Sequence, residues 1–182
     1  SMVLIPSVVA AVSIPVVGAG GFGNGRGMVA ALALGAEGIQ MGSAFLATKE
    51  CHVHQNFKQA IVEADDTGTV MIQRMIGRLS RVIKTPRALQ FQDMDKRGAA
   101  GEMKELMSAT PSNANMEGAP TMDAQWHGQM GGDMVEGEAA AGQSIAFVQE
   151  IKSASDVVRD ITAEAEALLD EIEGGALRRL RA

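Results

Sequence analysis

The chain has 182 residues, 46% hydrophobic and 21% charged, and a formal net charge of −6, the profile of one water-soluble folded unit whose sign argues against a nucleic-acid surface. A single cysteine, Cys51, excludes an internal disulfide framework and leads us to expect a cytoplasmic protein. No apolar run reaches the roughly 18 residues of a membrane span without a glycine or polar break, so no membrane partner is expected.

Residues 4–12 read as the end of a helix, with Pro6 in its first turn. The β-branched run 14–17, holding Pro15, predicts a buried parallel strand. Met28, Ala31, Leu32 and Leu34 recur at helical spacing within 24–34, and Gly35 stops that helix. Residues 38–41 predict a second strand, parallel to the first through a right-handed crossover. Beyond Ser43 the expected elements are a helix over 56–64, a strand over 67–72, a partly exposed element over 76–84 and a helix over 91–107. Residues 109–132 are rich in Ser, Asn, Pro, Gly and Gln and read as a loop or lid. An apolar helix is expected over 139–151. The strongest helix signal covers 153–173: Ser153 and Asp156 form a capping box of the Asp type, Val157, Ile161, Ala165, Leu168 and Ile172 make one stripe, and Gly174-Gly175 end it.

Gly18-Ala-Gly-Gly-Phe-Gly23 fits the GxGxxG fingerprint of dinucleotide sites. That reading requires an acid at the end of the second strand, about 20 residues on, to hold the ribose hydroxyls. Glu37 has the distance but precedes the strand, which puts it at the opposite end of the sheet. The strand ends instead in Gln40-Met41-Gly42-Ser43. Two consecutive strands that both end in glycine suit one shared phosphate: glycine lets backbone N–H groups approach it, and the serine hydroxyl adds a donor. This is the arrangement after strands seven and eight of a (β/α)8 barrel. Gly23, Gly25 and Gly27 are read as serving the turn and the helix start, and Arg26 as a solvated side chain.

On GAGGFGNGRGMVAALALGAEGIQMGSAF, FLATKECHVHQNFKQAIVEA, GRLSRVIKTPRA and GGDMVEGEAAAGQSIAFVQEIKSASDVV, the chain resembles the C-terminal half of the nitronate monooxygenase (nitropropane dioxygenase) family, relatives of the flavin-dependent enoyl-acyl carrier protein reductases. Phosphate-binding barrels such as the inosine monophosphate dehydrogenases share the Gly-Gly and Met-Gly-Ser/Thr motifs, and the ordered set of four carries the resemblance. It implies an α/β fold: the C-terminal part of a TIM barrel, incomplete, with residues 1–44 as its last two units, 45–142 as a small α/β lid and 143–182 as helices packed on the barrel. It implies FMN, with Ala19, Gly20 and Gly21 meeting the phosphate after strand seven and Gln40, Met41, Gly42 and Ser43 after strand eight. Ser43 keeps the hydroxyl of the family's usual Thr, and Phe22 stands where a smaller aliphatic residue is common.

The implied activity is oxidation of alkyl nitronates by oxygen within a longer parent. The alternatives are a flavin-dependent enoyl-acyl carrier protein reductase, an inactive fragment of either, or a remnant that binds a partner. The family's catalytic histidine belongs to an upstream segment, so no catalytic residue is expected in this chain, and His52, His54 and His127 read as surface residues. No metal-binding spacing is present. The expected partners are a small-molecule substrate and either a second copy of the chain or a missing N-terminal half.

Overall fold

The computed structural model describes residues 1–109 and 124–176. Helix α1 (Leu4–Ala11) leads into strand β1 (Val17–Ala19); helix α2 (Gly25–Ala33) then crosses over to strand β2 (Gly38–Gln40). The two strands are parallel, Val17 opposite Gly38 and Ala19 opposite Gln40, as the sequence predicts. Asn24 starts α2 by accepting the Gly27 N–H at 2.9 Å. Ile5, Phe22, Ala31 and Ala36 form the core beneath this unit. The Phe22 ring lies against Gly18, where an added Cβ would stand 3.0 Å from it, so the larger aromatic is absorbed by a glycine on the strand.

The first strand departs from expectation. It begins at Val17 rather than at residue 14, and Ile14 and Val17 are 71% and 57% exposed. The segment 14–17, exposed apart from the half-buried Val16, is therefore not a buried strand. Burying a parallel strand takes sheet neighbours and covered faces, and among the described residues β1 pairs with β2 alone.

A short helix α3 (Ser43–Leu46) follows β2, and then α4 (Gln55–Glu63). Strands β3 (Thr69–Ile72) and β4 (Ser80–Ile83) form an antiparallel pair with Thr69 opposite Ile83. Strand β3 starts two residues late because Thr67 belongs to a turn whose amide and hydroxyl both bond the Asp65 carboxylate at 2.8 Å. The helix expected over 91–107 is two, α5 (Pro86–Arg97) and α6 (Ala100–Ala109), divided at Gly98 with φ +72°. The predicted loop 109–132 lies partly outside the described residues, and its last part holds a helix, α7 (Ala124–Gln129).

Residues 139–151 are not one helix. The Ala139 carbonyl accepts the Ile83 N–H at 2.8 Å, and the Ala141 N–H reaches the Arg81 carbonyl at 3.2 Å. The open edge of β4 thus takes the backbone groups that a helix would have used, and a 3₁₀ turn over Gln143–Phe147 follows. One core joins Phe57, Ile61, Ile83, Ala139 and Ile145; another joins Val70, Ile72, Val82, Phe91 and Met103.

Helix α8 (Ala154–Glu171) buries Val157, Ile161 and Ala165, then widens into a π-type turn over Ile172–Ala176 that contains both glycines expected to end it. The Ser153 hydroxyl accepts the Asp156 N–H at 3.0 Å, and the Glu50 carboxylate accepts the Ala154 N–H at 2.9 Å. Hydrogen bonds from the Ser153 hydroxyl, and then from the Arg159 guanidinium, hold the Asp156 carboxyl below the usual aspartate range. The folded pKa is depressed, so this contribution is complete above about pH 4 and is lost as pH falls through the folded value. Asp156→Asn is expected to shallow the acid-denaturation curve below pH 4. Curves of unchanged shape would show that this carboxylate does not couple folding to pH.

Candidate functional site

The C-terminal ends of β1 and β2 lie side by side because Ala19 pairs with Gln40. The seven residues singled out from the sequence therefore reach one edge of the sheet: Ala19, Gly20 and Gly21 from one strand, Gln40, Met41, Gly42 and Ser43 from the next. None carries a charge. Gly20 and Gly21 take φ of +84° and +85°, a conformation that glycine adopts without strain. Gly42 has φ −96° and ψ −62°, open to any residue. A Cβ added at Gly20, Gly21 or Gly42 would meet no atom within 4 Å. Nothing in the chain's own packing or backbone conformation calls for glycine at 42. Gly38, at the other end of β2, shares this property, and nothing in the structure explains it.

Ser43 differs from the other six. It is 6% exposed, and its hydroxyl oxygen accepts the Gly142 N–H at 2.9 Å. The hydroxyl thus ties the end of β2 to the segment leading into the 3₁₀ turn and keeps its own proton free to donate. The sequence alone points only to a ligand role for it.

Glu37 lies at the far end of the sheet, its N–H bonded to the Val16 carbonyl at 2.8 Å. The N-terminus of α2, where a dinucleotide's pyrophosphate would sit, is occupied by protein groups. The Glu164 carboxylate accepts the Gly25 N–H at 2.7 Å and Asn24 takes that of Gly27. An anion held there would meet a carboxylate, so the dinucleotide reading fails on this contact as well. Gly23 and Gly25 serve packing: a Cβ at Gly23 would stand 2.9 Å from the Phe147 ring, and one at Gly25 only 2.5 Å from the Ala165 nitrogen. A cavity of about 170 Å³ borders Gly23, Asn24 and α8. Glu150, Asp160 and Glu164 line it together with Lys152, whose ammonium is already paired with Glu150 and Asp160, and none of the seven residues does, which ill suits a phosphate.

The histidines have other roles. His54 Nδ1 accepts the Asn56 N–H at 3.1 Å and caps α4, and Gly132 packs directly on its ring. The His127 ring meets Trp126 edge to face. His52 is exposed. Among the described residues no group of His, Cys, Asp and Glu is placed to hold a metal ion, and no helix is long and apolar enough to cross a membrane.

The nitronate monooxygenase family model matches residues 1–164. The chain belongs to that family. Residues of the chain are 44% identical over 80 positions to a probable nitronate monooxygenase of Staphylococcus aureus, a match covering 44% of this chain and 22% of that protein. The fold is similar to FabK from Thermotoga maritima, with a TM-score of 0.81 and 33% identity over 95% of this chain and 51% of FabK. It is also similar to nitroalkane oxidase from Streptomyces ansochromogenes, with a TM-score of 0.65 and 28% identity over 91% of this chain and 43% of the oxidase. The chain thus spans about a fifth of the curated relatives and about half of the solved ones. The α/β unit matches roughly half of these barrel proteins, and its two parallel strands do not close a barrel.

Two residues of this family member escaped the sequence reading. Glu164 lies 139 positions from its partner Gly25, a distance over which no local pattern speaks. Lys58 shares a helix face with Phe57 and Ile61, so the signal was there, a cation on an apolar stripe.

Proposed function

We propose that this chain carries the phosphate-binding edge of an FMN-dependent oxidoreductase that oxidises alkyl nitronates with oxygen. The observation behind this reading is Gly42, a glycine that the chain's own packing and backbone conformation do not require, which follows β2 as the left-handed Gly20-Gly21 pair follows the parallel strand β1. An uncharged edge with open space at three glycines suits a phosphate group. Gly20, Gly21 and Gly42 bring backbone amides close to it, Ser43 offers its remaining hydroxyl proton, and Ala19, Gln40 and Met41 flank them. FMN, when bound, supplies the electron transfer between nitronate and oxygen. On this reading the protein holds the cofactor by its phosphate, while the N-terminus of α2 is taken by the Glu164 carboxylate.

A second reading, reduction of an enoyl thioester, draws support from the higher TM-score to FabK than to the nitroalkane oxidase. Both readings share the phosphate edge and differ in substrate.

The test is FMN titration of the purified chain, followed by two assays: nitronate-dependent oxygen uptake, and oxidation of a reduced nicotinamide with an enoyl thioester. Saturable FMN binding is expected, with turnover far below that of a full-length relative, since His52, His54 and His127 stand on the exposed surface, at a helix cap and against Trp126. Absence of FMN binding would sink the cofactor reading. Turnover at the rate of a full-length relative would mean that one of these histidines performs chemistry.

A further inference from the structure

Lys58 is 6% exposed, and its ammonium donates to the Thr48 carbonyl at 2.6 Å. Among the described residues this is its single hydrogen bond, and no carboxylate lies within ion-pair distance. A buried cation facing one neutral carbonyl is expensive to keep. A methionine would fill a similar volume without that desolvation, which makes packing alone a poor reason for a lysine here.

The bond has a direction. Thr48, 2% exposed, turns both its N–H and its hydroxyl onto the Phe45 carbonyl, at 3.2 and 2.8 Å. The Phe45 and Leu46 N–H groups in turn meet the Gly42 carbonyl at 3.0 and 3.1 Å. Thr48 is therefore held from both sides, its carbonyl by the Lys58 ammonium and its N–H and hydroxyl by Phe45, and Lys58 is tied mechanically through α3 to Gly42. It anchors the short helix that starts at the candidate phosphate edge, and it sets a buried cation at the other end of that helix, while the seven residues of the edge carry no charge.

We propose that Lys58 is a positioning residue for the anionic end of the ligand: a buried cation that braces the Gly42 loop and biases it toward a phosphate monoester over the same ligand without its phosphate. This rests on the flavin reading above and adds to it the origin of phosphate selectivity.

FMN and riboflavin differ only in the phosphate, so their affinities for the 182-residue chain, measured side by side by fluorescence quenching, separate the possibilities. Lys58→Met is expected to weaken FMN about tenfold, the size of one charge interaction in the protein interior, and to leave riboflavin unchanged. Lys58→Arg, which keeps the charge, is expected to retain most of the preference. Equal loss of both ligands in Lys58→Met would make the lysine merely structural and overturn the proposal, as would unchanged affinity for both. A wild-type chain that binds neither flavin defeats the cofactor reading and this inference with it. A wild-type chain that prefers FMN, alongside a methionine variant with the same preference, defeats this inference alone.

Discussion

Gly25→Ala is expected to destabilise the chain by about 3 kcal/mol or more, the upper range for overpacking combined with loss of a hydrogen bond to a charged acceptor. The added Cβ would stand 2.5 Å from the Ala165 nitrogen, 2.6 Å from the Glu164 Cβ and 2.8 Å from the Glu164 carbonyl carbon. Two of these atoms are helix backbone, which cannot swing aside as a flexible side chain would. Helices α2 and α8 would have to separate, straining the Gly25 N–H bond to Glu164 and uncovering the stripe of Val157, Ile161 and Ala165. Intrinsic helix propensity points the other way, since alanine is favoured over glycine by up to about 1 kcal/mol inside a helix. The sign of the change therefore decides which effect governs. Urea denaturation of the variant and the parent chain measures it, and an unchanged or raised midpoint would show that α2 and α8 do not meet through Gly25.

The GxGxxG run shows what a sequence can say about such a site. The glycines of this run and of the helix start after it look alike on paper, yet they serve different ends. Gly18 makes room for the Phe22 ring, Gly20 and Gly21 adopt left-handed backbone, and Gly23 and Gly25 admit Phe147 and α8. The first two strands and their parallel order were legible because the crossover is short and the apolar periodicity local. The start of β1 was not, because pairing of Val17 with Gly38 sets it, and Ile14 has no partner to bury it. Helix α8 could be read in advance because the Ser153 cap and a 3.6-residue stripe both lie within its own sequence. The alanine-rich stretch after Glu138 was misread for the opposite reason: its helix propensity is outweighed by the open edge of β4, which lies more than fifty residues earlier in the chain. Position explains Glu37 as well. Spacing alone makes it a candidate ribose ligand, while its place before β2 removes it from that end of the sheet.

Gly42→Ala is expected to do the reverse of Gly25→Ala: to abolish or strongly weaken FMN binding, by at least about tenfold, with no loss of stability. The two effects separate because the position is unconstrained from within. Its φ of −96° and ψ of −62° suit alanine, and the new methyl would touch nothing in the chain. Reduced freedom of the unfolded chain favours alanine at such a site by about 0.4–1 kcal/mol, so the melting temperature is expected to hold or rise. The methyl would instead stand in open space at the edge proposed above to take the phosphate, and would hinder its approach to the backbone. Ligand binding and folding are thus opposed at one residue. FMN titration and thermal melting of the same preparation read both quantities. A variant that binds FMN as tightly as the parent would show that Gly42 does not face the phosphate, while joint loss of binding and stability would mean that the loop is held by contacts other than those described. The pairing with Gly25→Ala removes a general explanation, since both variants add one methyl to a glycine in the same βαβ unit and are expected to fail in opposite assays.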